Sequence, residues 1–131
     1  MHNIFYKKKF IFYFCNIVLI IFYFYPGSIF GYFLYGDFKI QPQLSKDFII
    51  SSNHFYSFCF ISIIGFLTYK EINKIIFLIF YLIFLSILLE MFHLITPNRG
   101  FEFSDLFGNL LGSTVVIVIN YFIRNYAKFK N

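Results

Sequence analysis

Ile75-Ile76-Phe77-Leu78-Ile79-Phe80-Tyr81-Leu82-Ile83-Phe84-Leu85-Ser86-Ile87-Leu88-Leu89 contains no charged residue. Lys70 and Lys74 precede it, and Glu90 and His93 follow it. Its apolar side chains show little amphipathic period, so no face is set aside for water. A helix needs about 20 mostly apolar residues to cross a bilayer, at about 1.5 Å per residue. The run is somewhat short for that, but its helix can continue through the flanking residues, and lysines there can extend their charge to the interface.

Three more apolar runs have the same character. They are Phe10–Tyr25, Phe48–Tyr69 and Leu106–Ile123. The composition agrees with them: 60% of the residues are hydrophobic, 13% are charged, and the mean hydropathy is +0.73. A soluble domain has about a quarter of its residues charged, so this chain has too little charge to coat a surface facing water. In lipid, backbone groups must be satisfied within the protein, and single segments meet that demand as helices. The expected fold is therefore all-α: one domain over residues 1–131, a four-helix transmembrane bundle with helices at about 10–25, 48–69, 75–90 and 106–123. Pro26 and Gly27 end or kink the first helix. The mixed aromatic segment 28–47 then reads as a loop, part re-entrant or interfacial.

Orientation follows from the basic residues. Lys7, Lys8, Lys9, Lys70, Lys74, Arg124, Lys128 and Lys130 fall at the N-terminus, in the second loop and in the tail. By the positive-inside rule these segments and both termini are cytoplasmic. The segments 26–47 and 90–105, with only Lys39, Lys46 and Arg99, face outward. The net charge of +5 is thus a topology signal, and no basic stripe is left to track nucleic-acid phosphates. Cys15 and Cys59 lie inside apolar runs and read as small hydrophobes. Lys7–Lys9 followed by an apolar run resembles a secretory signal, but no small-residue cleavage pattern follows Tyr25. The first helix is expected to be retained.

The ionisable and amide side chains then gather on one side. His54 starts the second helix, and Glu90 and His93 end the third. Arg99, Glu102 and Asp105 lie in the loop, and Asn109 lies in the first turns of the fourth helix. Ionisable groups at membrane depth are costly and often functional. Each residue also has a plain structural role open to it: an interfacial anchor for His54, a helix cap for Asp105, a loop ion pair for Arg99 with Glu102 or Asp105. Glu90 sits at a helix C-terminus, where the dipole disfavours negative charge; it asks for a partner, with Arg99 or His54 the candidates. Glu90 and His93 form a single E-x-x-H. Di-iron bundles use two copies and further carboxylates, so no metal or other cofactor is expected. Gly108 and Gly112 form GxxxG, a helix-packing element, which leaves a homo-oligomer open.

From Glu90 to Gly112 the series Glu90, His93, Pro97-Asn98-Arg99, Asp105, Asn109, Gly112 resembles the signature of the VanZ-like family: E-x-x-Q, P-x-R, then D-x-x-x-N-x-x-G. Asn53-His54-Phe55 is similar to the histidine element that opens the family's second helix. His93 stands where that family has Gln, and the residues before His54 are not its usual Asp-Lys pair. The resemblance implies a small multi-pass protein of the bacterial cell (inner) membrane. It also implies a link to glycopeptide resistance of the teicoplanin type, with a lipid-linked or acylated glycopeptide partner at the outer face.

Two functional classes lead from these residues. In the first, His54, Glu90, His93, Arg99, Asp105 and Asn109 form a polar binding site in an envelope accessory module. In the second, a membrane-embedded enzyme acts on a lipid-linked substrate, with His54 or Glu90 as general base and Arg99 stabilising developing charge. A transporter is disfavoured, because no broken helix crosses the midplane. The topology is directly testable in a Cys15→Ser/Cys59→Ser background. A cysteine at position 99 or 102 should react with an impermeant maleimide added outside intact cells, and one at position 72 should react only after lysis.

Overall fold

A computed structural model describes residues 2–47 and 49–129. Phe48, the expected start of the second run, and Lys130 of the tail lie outside the described residues, as does the Lys128 side chain. Among the described residues there are five helices: α1 His2–Phe24, α2 Ile29–Tyr35, α3 Ser52–Thr68, α4 Ile72–Phe92 and α5 Phe103–Phe129. No strand occurs among the described residues. The long helices exceed their apolar cores at one or both ends, except α3, which begins only at Ser52. The seven-residue α2 lies within what the sequence presented as a loop. Among the described residues two helices, α4 and α5, are long and apolar enough to cross a membrane, or three if α1 and α2, bent by 76° at their break, form one span. At 17 residues, α3 sits at the lower limit of spanning length.

Burial is inverted relative to a water-soluble protein. Phe77, Phe80 and Phe84 on α4 are 75%, 68% and 63% exposed, while Ser86 on the same helix is fully buried. Large apolar side chains point away from the other helices, and small or polar ones point between them. That arrangement suits a membrane protein, in which lipid solvates the outer face. The interior still holds an apolar centre, built around Phe58, Ile61, Leu82, Leu85 and Leu89.

The most extensive contact joins α3 and α5, and glycine makes it possible. A Cβ on Gly112 would overlap the Phe55 carbonyl, and one on Gly108 would press on the Ser51 carbonyl and His54 Cβ. Backbone meets backbone here, so Cys59 Sγ reaches the Gly112 carbonyl at 3.4 Å and Ser62 Oγ reaches Ser113 Oγ at 3.4 Å. Polar side chains also bridge other helix pairs. The Tyr81 hydroxyl donates to Asn16 Oδ1 at 2.5 Å, joining α4 to α1.

The segment after α2 is tied down closely. The Ser28 side chain caps α2 by accepting the Gly31 N–H at 2.9 Å, and Gly36 ends that helix at φ 70°, a left-handed geometry that glycine adopts without strain. Asn53 then clamps the 36–47 segment from both sides. Its Nδ2 donates to the Pro42 carbonyl at 2.8 Å, and its Oδ1 accepts the Leu44 N–H at 2.9 Å. This holds α2 and its loop at the end of the helices remote from both termini.

The glycine contacts yield a stability prediction. Gly112→Val should destabilise the protein by about 2 kcal/mol or more through overpacking. Gly100→Ala, with nothing near its added methyl, should leave the detergent melting curve unchanged.

Candidate functional site

The polar cluster forms because four helices each end on, or begin with, a polar residue at the same level. Tyr23 comes from the last turn of α1, His54 from the first turn of α3, Glu90 from the last turns of α4, and Asp105 and Asn109 from the first turns of α5. His93 caps α4. Glu90 and Asn109 are completely buried, and His93 and His54 nearly so. A buried polar group without a partner is costly, so the bonding around these side chains is informative.

Asn109 is the hub. Its Oδ1 accepts the Tyr23 hydroxyl at 2.5 Å and lies 3.1 Å from His54 Nδ1, while its Nδ2 points at the Ser86 carbonyl at 3.4 Å. The Tyr23 oxygen is also 3.0 Å from His54 Nδ1. Tyr23 has one proton, and it goes to Asn109. His54 Nδ1 therefore faces two acceptor oxygens and must itself be the donor. That assignment leaves His54 Nε2 directed at Asp105 Oδ2, 3.2 Å away.

Glu90 has a partner that the sequence did not indicate: the Glu102 backbone N–H donates to Glu90 Oε1 at 2.9 Å. Its other oxygen stands 3.3 Å from His93 Nδ1. That contact has the distance of an ion pair but not the angles of a hydrogen bond, so Oε2 accepts no hydrogen bond among the described residues. His93 Nε2 has no hydrogen-bond partner among the described residues; its ring stacks on Tyr23, with centroids 5.5 Å apart.

Two expectations are corrected here. Asp105 does not cap its helix: α5 begins at Phe103, so Asp105 lies within the first turn and its carboxylate is turned to His54. Arg99 pairs with neither Glu102 nor Asp105, nor with Glu90, among the described residues. Its Nη2 donates to the Gly27 carbonyl at 2.8 Å and its Nη1 approaches Gln41 Oε1 at 3.4 Å. The chain between α4 and α5 carries it toward the break between α1 and α2, away from the carboxylates. Its buried Nε has no hydrogen-bond partner among the described residues.

A cavity of about 690 Å³ opens beside the cluster, between α1 and α3 and under α2. Phe14, Val18, Phe22, Phe30, Leu34 and Phe60 contribute to an apolar wall. Tyr23, His54, His93 and Arg99 line it too, as do Ser28, Gln41, Gln43, Asn53 and Ser57. From Phe14 to Tyr23 the α1 wall extends about 14 Å. So His54, Glu90, His93, Asp105 and Asn109 come together in one cluster, and Arg99 lines the same cavity as His54 and His93 without bonding to the cluster. Tyr23, Asn53 and α2 belong to the same construction. Tyr23 gave no sequence signal, since a tyrosine at the end of an apolar run is also what an interfacial belt would supply.

No family model, curated protein or solved structure matches the chain.

The hydrogen-bonded hub should be cooperative. Tyr23→Phe and Asn109→Ala should each destabilise the protein by about 1–3 kcal/mol. The double variant should cost clearly less than the sum, because each change removes the same bonds. Reversible unfolding in mixed micelles measures both quantities.

Proposed function

We propose that this chain is a four-span membrane protein of the VanZ-like kind that binds an anionic amphiphile at the non-cytoplasmic face of the bacterial cell membrane. The observation that carries this reading is Arg99: a cation without a carboxylate partner among the described residues, lining a cavity whose α1 wall is largely apolar. A guanidinium is a planar fork matched to phosphate or carboxylate. His93 Nε2, also unpartnered and lining the same cavity, supplies a second contact to a head group. The apolar wall along α1 takes an acyl or prenyl chain, which can enter sideways from lipid. Such a ligand is a lipid-linked envelope intermediate or an acyl-tailed glycopeptide, in keeping with the family resemblance of the segment from Glu90 to Gly112. The basic residues at the opposite end favour both termini being cytoplasmic.

A second reading makes buried Glu90 the general base, since its Oε2 accepts no hydrogen bond among the described residues, with His54, held between Tyr23, Asn109 and Asp105, as a positioning residue. In that reading the same cavity holds a substrate, and His54→Asn or Glu90→Gln abolishes turnover.

Binding can be tested by native mass spectrometry with dodecyl phosphate and dodecyl maltoside as competing probes. The wild type should retain the phosphate selectively. Arg99→Gln should lower that retention about tenfold, the loss expected for a charge-assisted hydrogen bond. Equal retention of both probes by the wild type would remove the proposal.

A further inference from the structure

We propose that His54, Glu90 and Asp105 form a binding site for a divalent transition-metal ion of the zinc type. The inference does not depend on the amphiphile reading, since it concerns the wall behind the cavity and not the cavity's contents. One ligand atom from each residue lies within 4.8 Å of the other two. The three come from α3, α4 and α5, so an ion there would fasten three helices at one point.

The hydrogen bonding leaves a charge problem that a cation solves. His54 Nδ1 is committed as a donor to the Tyr23 and Asn109 oxygens. In a neutral ring Nε2 then carries a lone pair, and that lone pair faces an Asp105 carboxylate oxygen at 3.2 Å. Two electron-rich atoms do not settle at that distance unless a proton or a metal ion lies with them. Bonds of about 2.0 Å at a tetrahedral angle place two ligand atoms about 3.3 Å apart, close to the separation seen. Glu90 is the second sign. It is fully buried, and its Oε2 makes no hydrogen bond among the described residues, standing 3.3 Å from His93 Nδ1 without hydrogen-bond geometry, although a buried carboxylate normally has its lone pairs satisfied.

The surroundings resemble the outer support that metal ligands require. A ligating histidine usually fixes its other nitrogen with a hydrogen bond, which Asn109 and Tyr23 do for His54. The Glu102 N–H holds Glu90 Oε1, and Ser104 Oγ lies 3.5 Å from Asp105 Oδ1. One nitrogen and two oxygen donors suit zinc or manganese better than copper(I), which prefers sulfur. Three protein ligands leave a coordination position for water or a ligand oxygen, and His54 also lines the cavity. The sequence pointed instead to Glu90 with His93 as the pair that shares a helix face, and found no second copy. The structure assigns the cluster across helices, where sequence spacing gives no hint.

The test uses the full chain purified in detergent, stripped with chelator and titrated with Zn2+ and Co2+. The wild type should take up about one equivalent, gain thermal stability, and show the intense visible absorption of low-symmetry Co2+, all reversed by EDTA. His54→Gln and Asp105→Asn should lose uptake about tenfold or more, whereas Glu71→Gln, an exposed acid paired with Lys74, should retain it. Should the two site variants fail to fold, the wild-type titration alone decides. A wild type with no saturable uptake and no metal-dependent stabilisation overturns the proposal and leaves a proton between His54 and Asp105. Uptake that survives in folded His54→Gln and Asp105→Asn overturns it equally.

Discussion

Asn109 receives the single Tyr23 proton, and much of the polar end of the molecule is arranged around that bond. Because Tyr23 donates to Asn109, His54 must donate from Nδ1. Because His54 donates from Nδ1, its other nitrogen is turned to Asp105. The contact requires α1 and α5 to meet at the level of α3, and this is where Gly108 lets the backbones of α5 and α3 approach. A small residue in one helix and an amide one position later thus specify both how close the helices come and which chemical groups face each other.

The same economy explains the inverted pattern of burial. Between helices in lipid the hydrophobic effect offers no driving force, so packing and polar bonds must hold the assembly. Ser62 with Ser113, Asn16 with Tyr81, and the Tyr23–Asn109–His54 hub are spread along its length. Phenylalanines turned outward suit contact with lipid. The cavity lies where this packing is interrupted, between α1 and α3 and beneath α2, and the clamp made by Asn53 keeps the covering segment in place.

Much of the helical plan was legible in the sequence, because long apolar runs and sparse charge admit few alternatives. The grouping of His54, Glu90, His93, Asp105 and Asn109 at one end followed from run lengths alone. The partners did not. Arg99 and Glu90 are nine residues apart and of opposite charge, so a sequence reading pairs them; the fold instead gives Glu90 a backbone N–H and sends Arg99 to Gly27. Backbone donors are invisible to residue-type reasoning. Helix α2 was hidden too, since a seven-residue helix has too few turns to establish a period. Tyr23 is placed by the rotation of α1, which an apolar run without amphipathic pattern does not reveal.

His54 is held inside the protein by Tyr23 and Asn109, and the polar cluster is built on that arrangement. Magic-angle-spinning NMR of 15N-histidine-labelled protein in lipid bilayers, with selectively carbon-labelled tyrosine and asparagine, addresses this directly. The expected spectrum shows a protonated His54 Nδ1 with cross-peaks to the Tyr23 ring and the Asn109 side chain. A His54 ring that correlates with mobile water or lipid, and with neither side chain, would contradict the arrangement from which the site is built.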